Sequence, residues 1–224
     1  MKRLTLVITI TFLSVLAYAA TDSLGRVNVT QASLGDVKVQ TEPKITPWPP
    51  QTGRLYPDLQ LIDQDGRSFR LSSLMGKVIL VEPLGMSCPA CQAFAGAHDK
   101  GAYGGMSVQR GLGSIYKLTP RYAKGLKLPR QDVIIVQLIL YDTRLGAPNP
   151  EDARKWAQHF GMKRAHNEIV AVSPYDLRSE IAYNLVPGFQ LIDKNFILRS
   201  DSTGHHPKDN LYTELLPMIP YLLK

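Results

Sequence analysis

The 224-residue chain carries 26 Lys and Arg against 19 Asp and Glu, a formal net charge of +7. With Lys2 and Arg3 set aside the balance is 24 basic against 19 acidic, or +5, and no basic stripe interleaved with aromatics marks a nucleic-acid binder. The length suits one domain with extras, large enough to bury a core without disulfides.

Residues 1–19 open with Lys2 and Arg3, continue through an apolar body over 4–16 and end on Ala17-Tyr18-Ala19. A basic start, an apolar middle and a small-x-small site describe a secretory signal peptide cleaved after Ala19. The alternative is an uncleaved membrane anchor. Either way the chain is expected to work outside the cytoplasm, in a periplasmic or other extracytoplasmic space. Residues 20–50 have no sustained period, and Pro43, Pro47, Pro49 and Pro50 make them a proline-rich linker. Trp48 within it is either a docking residue or packed on its own domain. Residues 51–224 are read as the domain proper.

Residues 59–71 hold two short alternating runs around Asp65-Gly66, the pattern of a β-hairpin. A short helical turn over 72–77 leads into the apolar run Val78-Ile79-Leu80-Val81, a strand buried on both faces. Glu82 ends it. A short polar bend follows, then Cys88-Pro89-Ala90-Cys91, which contains both cysteines of the chain. Pro89 suits a first helical position, so Cys88 falls at a helix start, where free N–H groups stabilise a thiolate.

A Gly-rich insertion over 96–113 comes next, either a partner surface or a loop without a specific role. A basic amphipathic helix, interrupted by Pro120, is expected over 114–124. Residues 132–141 form the most apolar strand. Asn149 caps a helix with Pro150 at its first position, on which Trp156 and Phe160 share a core-facing side. A strand over 169–172, a helix over 175–184, a second hairpin across Asp193-Lys194-Asn195 and a terminal helix within 207–223 complete the chain. The fold class is α/β, a central mixed sheet flanked by helices.

A cysteine pair this close has three uses. A structural disulfide would close a loop too small to remove much unfolded-state entropy. Zinc would need a second pair, and the five histidines show no finger spacing. A redox-active dithiol fits the export signal, the spacing and the strand-to-helix position. No metal and no cofactor is expected.

The order Pro57-Asp58-Leu59, Asp65-Gly66, Leu71-Ser72-Ser73-Leu74, Gly76-Lys77-Val78-Ile79, Cys88-Pro89-Ala90-Cys91, Val186-Pro187-Gly188 and Leu191-Ile192-Asp193 resembles the thioredoxin-like redoxins. Among them it is most similar to exported thiol-disulfide oxidoreductases of the TlpA/ResA type. The resemblance implies a thioredoxin-like fold over residues 55–224, with an N-terminal hairpin and an insertion after the Cys-x-x-Cys helix. It implies that Cys88 attacks and Cys91 resolves. Pro187 matches the family's cis-proline, and Pro89 and Val186 then border the substrate. Glu82 matches a buried acid that exchanges a proton with the second cysteine; the alternative is a Glu that escapes to the surface because Pro83 bends the strand end. The partners implied are protein thiols or disulfides and a membrane or soluble redox protein, with contact to the membrane itself only if the N-terminal segment stays attached. Met86-Ser87 and Pro83-Leu84 replace the aromatic residues usual around this motif. A Sco-like copper chaperone for cytochrome oxidase assembly is the alternative function. Asp142-Thr143-Arg144 supports it, but three residues between the cysteines and a histidine before the late strand are both lacking. His205 and His206 are expected to face solvent.

Overall fold

A computed structural model describes residues 48–224. The expected signal segment at 1–19 and most of the 20–50 linker lie outside the described residues. Among the described residues no helix is long and apolar enough to cross a membrane. Trp48 packs against the core.

Seven strands form one mixed sheet: β1 (Gln60–Asp63), β2 (Ser68–Arg70), β3 (Val78–Gly85), β4 (Val133–Tyr141), β5 (Glu168–Val172), β6 (Gln190–Ile192) and β7 (Leu198–Asp201). Their spatial order is β2-β1-β5-β4-β3-β6-β7. β3, β4 and β5 run parallel, while β1 with β2, β1 with β5, β3 with β6 and β6 with β7 are antiparallel. The helices are α1 (Pro89–Ala95), α2 (Ala97–Lys100), α3 (Ile115–Tyr122), α4 (Pro150–Phe160), α5 (Glu180–Tyr183) and α6 (Leu216–Leu222).

The connections from β3 to β4 and from β4 to β5 step the same way across the sheet. Right-handed crossovers therefore place α1 and α4 on one face. That face carries Glu82 and Gln137, which are directly paired across β3 and β4. The first hairpin closes because Asp63 Oδ1 accepts N–H bonds from Asp65 and Arg67. The buried Asp63 carboxylate is neutralised by Arg164 at 2.6 Å. At α4, Asn149 Oδ1 accepts from the Glu151 N–H and Asp152 returns the bond to the Asn149 N–H, a closed capping box.

Three elements differ from the sequence expectation. β3 does not stop at Glu82; it runs on through Pro83 to Gly85. Val78 N–H donates to Asp132 O beside β4, so even-numbered residues of β3 aim their N–H at β4 and odd-numbered ones at β6. Pairing with β6 ends at Val81, so the missing donor of Pro83 falls where no ladder bond exists. The helix expected over 175–184 is confined to α5. Before it, Asp176 Oδ1 accepts from the Arg178 N–H, holding a turn, and Ser179 caps the helix by accepting from the Ala182 N–H. The terminal helix opens on a widened π-helical turn, Leu211–Leu215, with Leu215 N–H donating to Asn210 O.

Gly188 locks the two ends of the second hairpin together. Its φ is +139°, and a Cβ there would lie 2.3 Å from Ser202 O. Gly188→Ala is expected to displace the 202–204 segment and cost about 2 kcal/mol or more. An unchanged urea midpoint would contradict this contact.

Candidate active site

β3 carries the chain to Gly85, whose carbonyl accepts the Cys88 N–H at 3.0 Å, and Met86 N–H donates to Tyr141 O at 2.9 Å. This turn presents Cys88 in extended conformation as the N-cap of α1, with Pro89 in the first turn. Both cysteines are free; Cys88 is partly exposed and Cys91 fully buried. Cys88 Sγ accepts from the Cys91 thiol at 2.6 Å and from the Cys91 backbone N–H at 3.2 Å. The Cys91 thiol bond, helped by the N–H groups of Cys91 and Ala90, outweighs desolvation and lowers the Cys88 pKa to about 7. Burial, followed by the bond and charge of Cys88 and the charge of Glu82, raises the Cys91 thiol well above its ordinary value. One thiol is thus ionised near neutral pH and the other holds its proton.

Glu82 is fully buried, because Pro83 continues the strand instead of turning it outward. Desolvation raises its carboxyl well above the usual carboxylate range, with a hydrogen bond from Gln137 opposing and the Cys88 charge adding to the rise. Gln137 Nε2 donates to Glu82 Oε2 at 2.6 Å, and Trp156 Nε1 donates to Gln137 Oε1 at 2.8 Å. Glu82 Oε1 is buried without a hydrogen-bond partner among the described residues.

Gln92, next to Cys91, ties the surroundings together. Its Nε2 donates to Met86 O at 2.6 Å, and its Oε1 accepts the Tyr103 N–H at 2.9 Å. Gln109 N–H donates to Pro89 O at 3.0 Å. The Gly-rich insertion is therefore fastened at two points to the helix that carries the thiols.

The opposite wall comes from the 186–188 segment. The Val186–Pro187 peptide is cis, and Pro187 O accepts the Gly204 N–H at 2.7 Å. A cleft of about 270 Å³ is lined by Cys88, Pro89, Val186 and Pro187 together with Tyr141, Leu145, Tyr183 and His205. Of the residues singled out in the sequence, Cys88, Pro89, Val186 and Pro187 share this cleft, while Cys91 and Glu82 are buried. His205 is exposed, as expected for a solvent-facing residue, yet it also borders the cleft, because the Gly204 bond folds the chain after β7 back over Pro187. Among the described residues no three His, Cys, Asp or Glu side chains are grouped to hold a metal ion.

Sequence reasoning missed Gln137, Gln92 and Trp156 as parts of this site. A usable signal existed for the first: Gln137 is the one amide in Val133–Tyr141. The Cys88 assignment carries a direct check. Alkylation by iodoacetamide should rise with pH through a midpoint near 7. In Cys91→Ala, which removes the thiol donor, that midpoint should move upward, since the lost bond favours the thiolate. An unmoved midpoint would remove the Cys91 thiol as the cause.

No protein-family model matches the chain, and no curated protein matches it in sequence. Solved structures do. A candidate electron transfer protein from Aquifex aeolicus VF5 aligns with a TM-score of 0.51 at 17% identity, covering 78% of this chain and 99% of the other. The thioredoxin domain of a thiol-disulfide oxidoreductase from Bacteroides vulgatus aligns at 0.43 with 17% identity over 72% and 93%. Arabidopsis thaliana ScoI, solved with copper bound, aligns at 0.45 with 14% identity over 73% and 96%. With its parallel β3–β4 pair, a cysteine helix leaving β3, the antiparallel β6 and β7 behind Pro187 and a closing helix, the chain has the thioredoxin-like fold.

Proposed function

We propose that the chain is an exported thiol-disulfide oxidoreductase that exchanges electrons with protein disulfides through Cys88 and Cys91. The observation that carries this reading is the asymmetry of the pair: a cleft-facing Cys88 with a pKa lowered to about 7 beside a buried, protonated Cys91. Export rests on the pattern of residues 1–19, and a periplasmic or other extracytoplasmic location follows from it.

In the reducing direction, the Cys88 thiolate attacks one sulfur of a partner disulfide. A new S–S bond forms to Cys88, the partner's S–S bond breaks, and the departing sulfur leaves as a thiolate that takes a proton from solvent. Cys91 then gives its proton to the Glu82 carboxylate and attacks Cys88 Sγ. The mixed disulfide breaks, the second partner sulfur leaves reduced, and two electrons have passed from the dithiol to the partner. Oxidation of a partner dithiol is the same path reversed. Val186 and Pro187 face Cys88 across the cleft and border the partner segment, and Pro89 forms its near rim.

Cys91→Ser should trap a mixed disulfide through Cys88 with a disulfide-bearing protein, visible as a reducible band on non-reducing gels. Failure to trap any, with Cys88 still alkylatable, would remove the exchange mechanism. Glu82→Gln should slow resolution by Cys91 at neutral pH about tenfold or more, within the usual range for general acid–base groups, while leaving attack by Cys88 nearly intact. Equal slowing of both steps, or of neither, would remove the proton-carrier role.

A further inference from the structure

A side-chain amide can face a neighbour with either end, and here Trp156 decides which. An indole N–H only donates, and that of Trp156 donates to Gln137 Oε1 at 2.8 Å. Gln137 must then turn its NH2 group to Glu82, where it donates to Oε2 at 2.6 Å. The oxygen accepting this bond is the less favoured place for the proton of the neutral acid, because a hydroxyl oxygen accepts more weakly than a carbonyl oxygen and would give up part of the bond. The other oxygen, Oε1, is buried with no partner among the described residues.

We propose that Trp156 and Gln137 are positioning residues that confine the exchangeable proton of Glu82 to Oε1, the oxygen left free for exchange with Cys91. This rests on the dithiol chemistry above and deepens it. Trp156 is itself held in place. It is fully buried, with the Phe160 ring 4.7 Å away and the Tyr103 ring 5.4 Å away, centroid to centroid. Tyr103 belongs to the Gly-rich insertion, and its N–H is bonded to Gln92 beside Cys91. The insertion thus supports the indole that orients the amide.

Among the described residues, the Cys88 charge at the N-cap of α1 acts on Glu82, and the Glu82 charge acts in turn on Cys91 of α1 and Tyr116 of α3. The Tyr116 hydroxyl donates to Glu168 on β5 at 2.7 Å, not to Glu82. Gln137 on β4 is uncharged, so among the described residues the only hydrogen bond to this carboxyl comes from a neutral amide held by a neutral indole.

The test uses the full chain with Cys88 carried as a mixed disulfide with thionitrobenzoate. Cys91 releases its proton to Glu82 Oε1 and attacks Cys88 Sγ, and the thionitrobenzoate thiolate departs and is followed by its absorbance. The release rate is recorded against pH. Gln137→Met keeps the volume and loses the donor. Trp156→Phe keeps most of the ring and loses the N–H, which frees the amide to flip and accept the Glu82 proton. Both variants should move the midpoint upward by about one pH unit, giving release about tenfold slower on its acid side. Attack of Cys88 on a fresh disulfide should be unchanged.

The decisive arm is the double variant. Trp156→Phe should add no further shift in the Gln137→Met background, since the indole acts through the amide. A Trp156→Phe shift that persists there, or the absence of an upward shift in Gln137→Met, overturns the proposal. Glu82→Gln separates the two levels. If it keeps the parent pH profile, the proton-carrier reading itself fails. If it loses the midpoint while Gln137→Met and Trp156→Phe leave theirs unmoved, only the present inference fails.

Discussion

A carboxyl group on a strand buried on both faces costs several kcal/mol if charged and unpaired. Glu82 is in that position, and among the described residues it receives one hydrogen bond, not the full set that would make it an inert structural anion. Much of the surrounding structure follows from this half-satisfied state. The parallel pairing of β3 with β4 sets Gln137 directly opposite. The crossover that returns β4 to β5 lays α4 over the same face and brings Trp156 down onto the amide. The helix leaving β3 buries Cys91 on that face too, close enough for the Glu82 charge to raise its thiol. A fully bonded carboxylate would stay ionised and exchange no proton, whereas an unbonded one would stay neutral. The arrangement lies between these two limits.

The second wall of the site is built from a distant part of the chain and held by backbone contacts instead of side chains. Gly188 and Gly204 each sit where a Cβ would strike a carbonyl, Ser202 O at 2.3 Å and Asn184 O at 2.4 Å. Both have positive φ. These approaches bring the segment after β7 over the Pro187 loop and fix the distance between the two sides of the cleft. The wall itself is aromatic and aliphatic. Tyr141 and Tyr183 meet edge to face at 5.8 Å, and Leu145 and Tyr183 stay more than half exposed beside Cys88.

Much of this was legible from the residues, for identifiable reasons. Asp65-Gly66 announced a hairpin because a tight turn needs positive φ, which Gly66 supplies. The apolar runs beginning at Val78 and Val133 announced central strands because burial on both faces removes any alternation. The Cys88–Cys91 spacing announced a thiol at a helix start. What stayed hidden depends on register and on distant packing. That Pro83 would extend β3 follows only once β6 is known to stop at Gln190. That Gln137 would meet Glu82 requires the β3–β4 alignment. His205 reaches the cleft through a bond from its neighbour Gly204 to Pro187, a contact without any local periodicity. The 175–184 stretch reads as a helix throughout, but an Asx turn and a serine cap confine the helix to four residues.

The overhang of β3 beyond its antiparallel neighbour leaves one margin of a central strand without a ladder partner beside Cys88, yet Pro83, Leu84 and Gly85 are all buried. Open strand margins invite a second chain to add itself by backbone pairing, a common route to aggregation. Pro83 occupies that margin on the side where a donor would otherwise be offered, and a proline cannot extend a ladder. The overhang is therefore closed twice, by burial and by a residue with no N–H to offer. The same proline that keeps Glu82 inside the sheet thus removes the one donor that a further strand would need at this position.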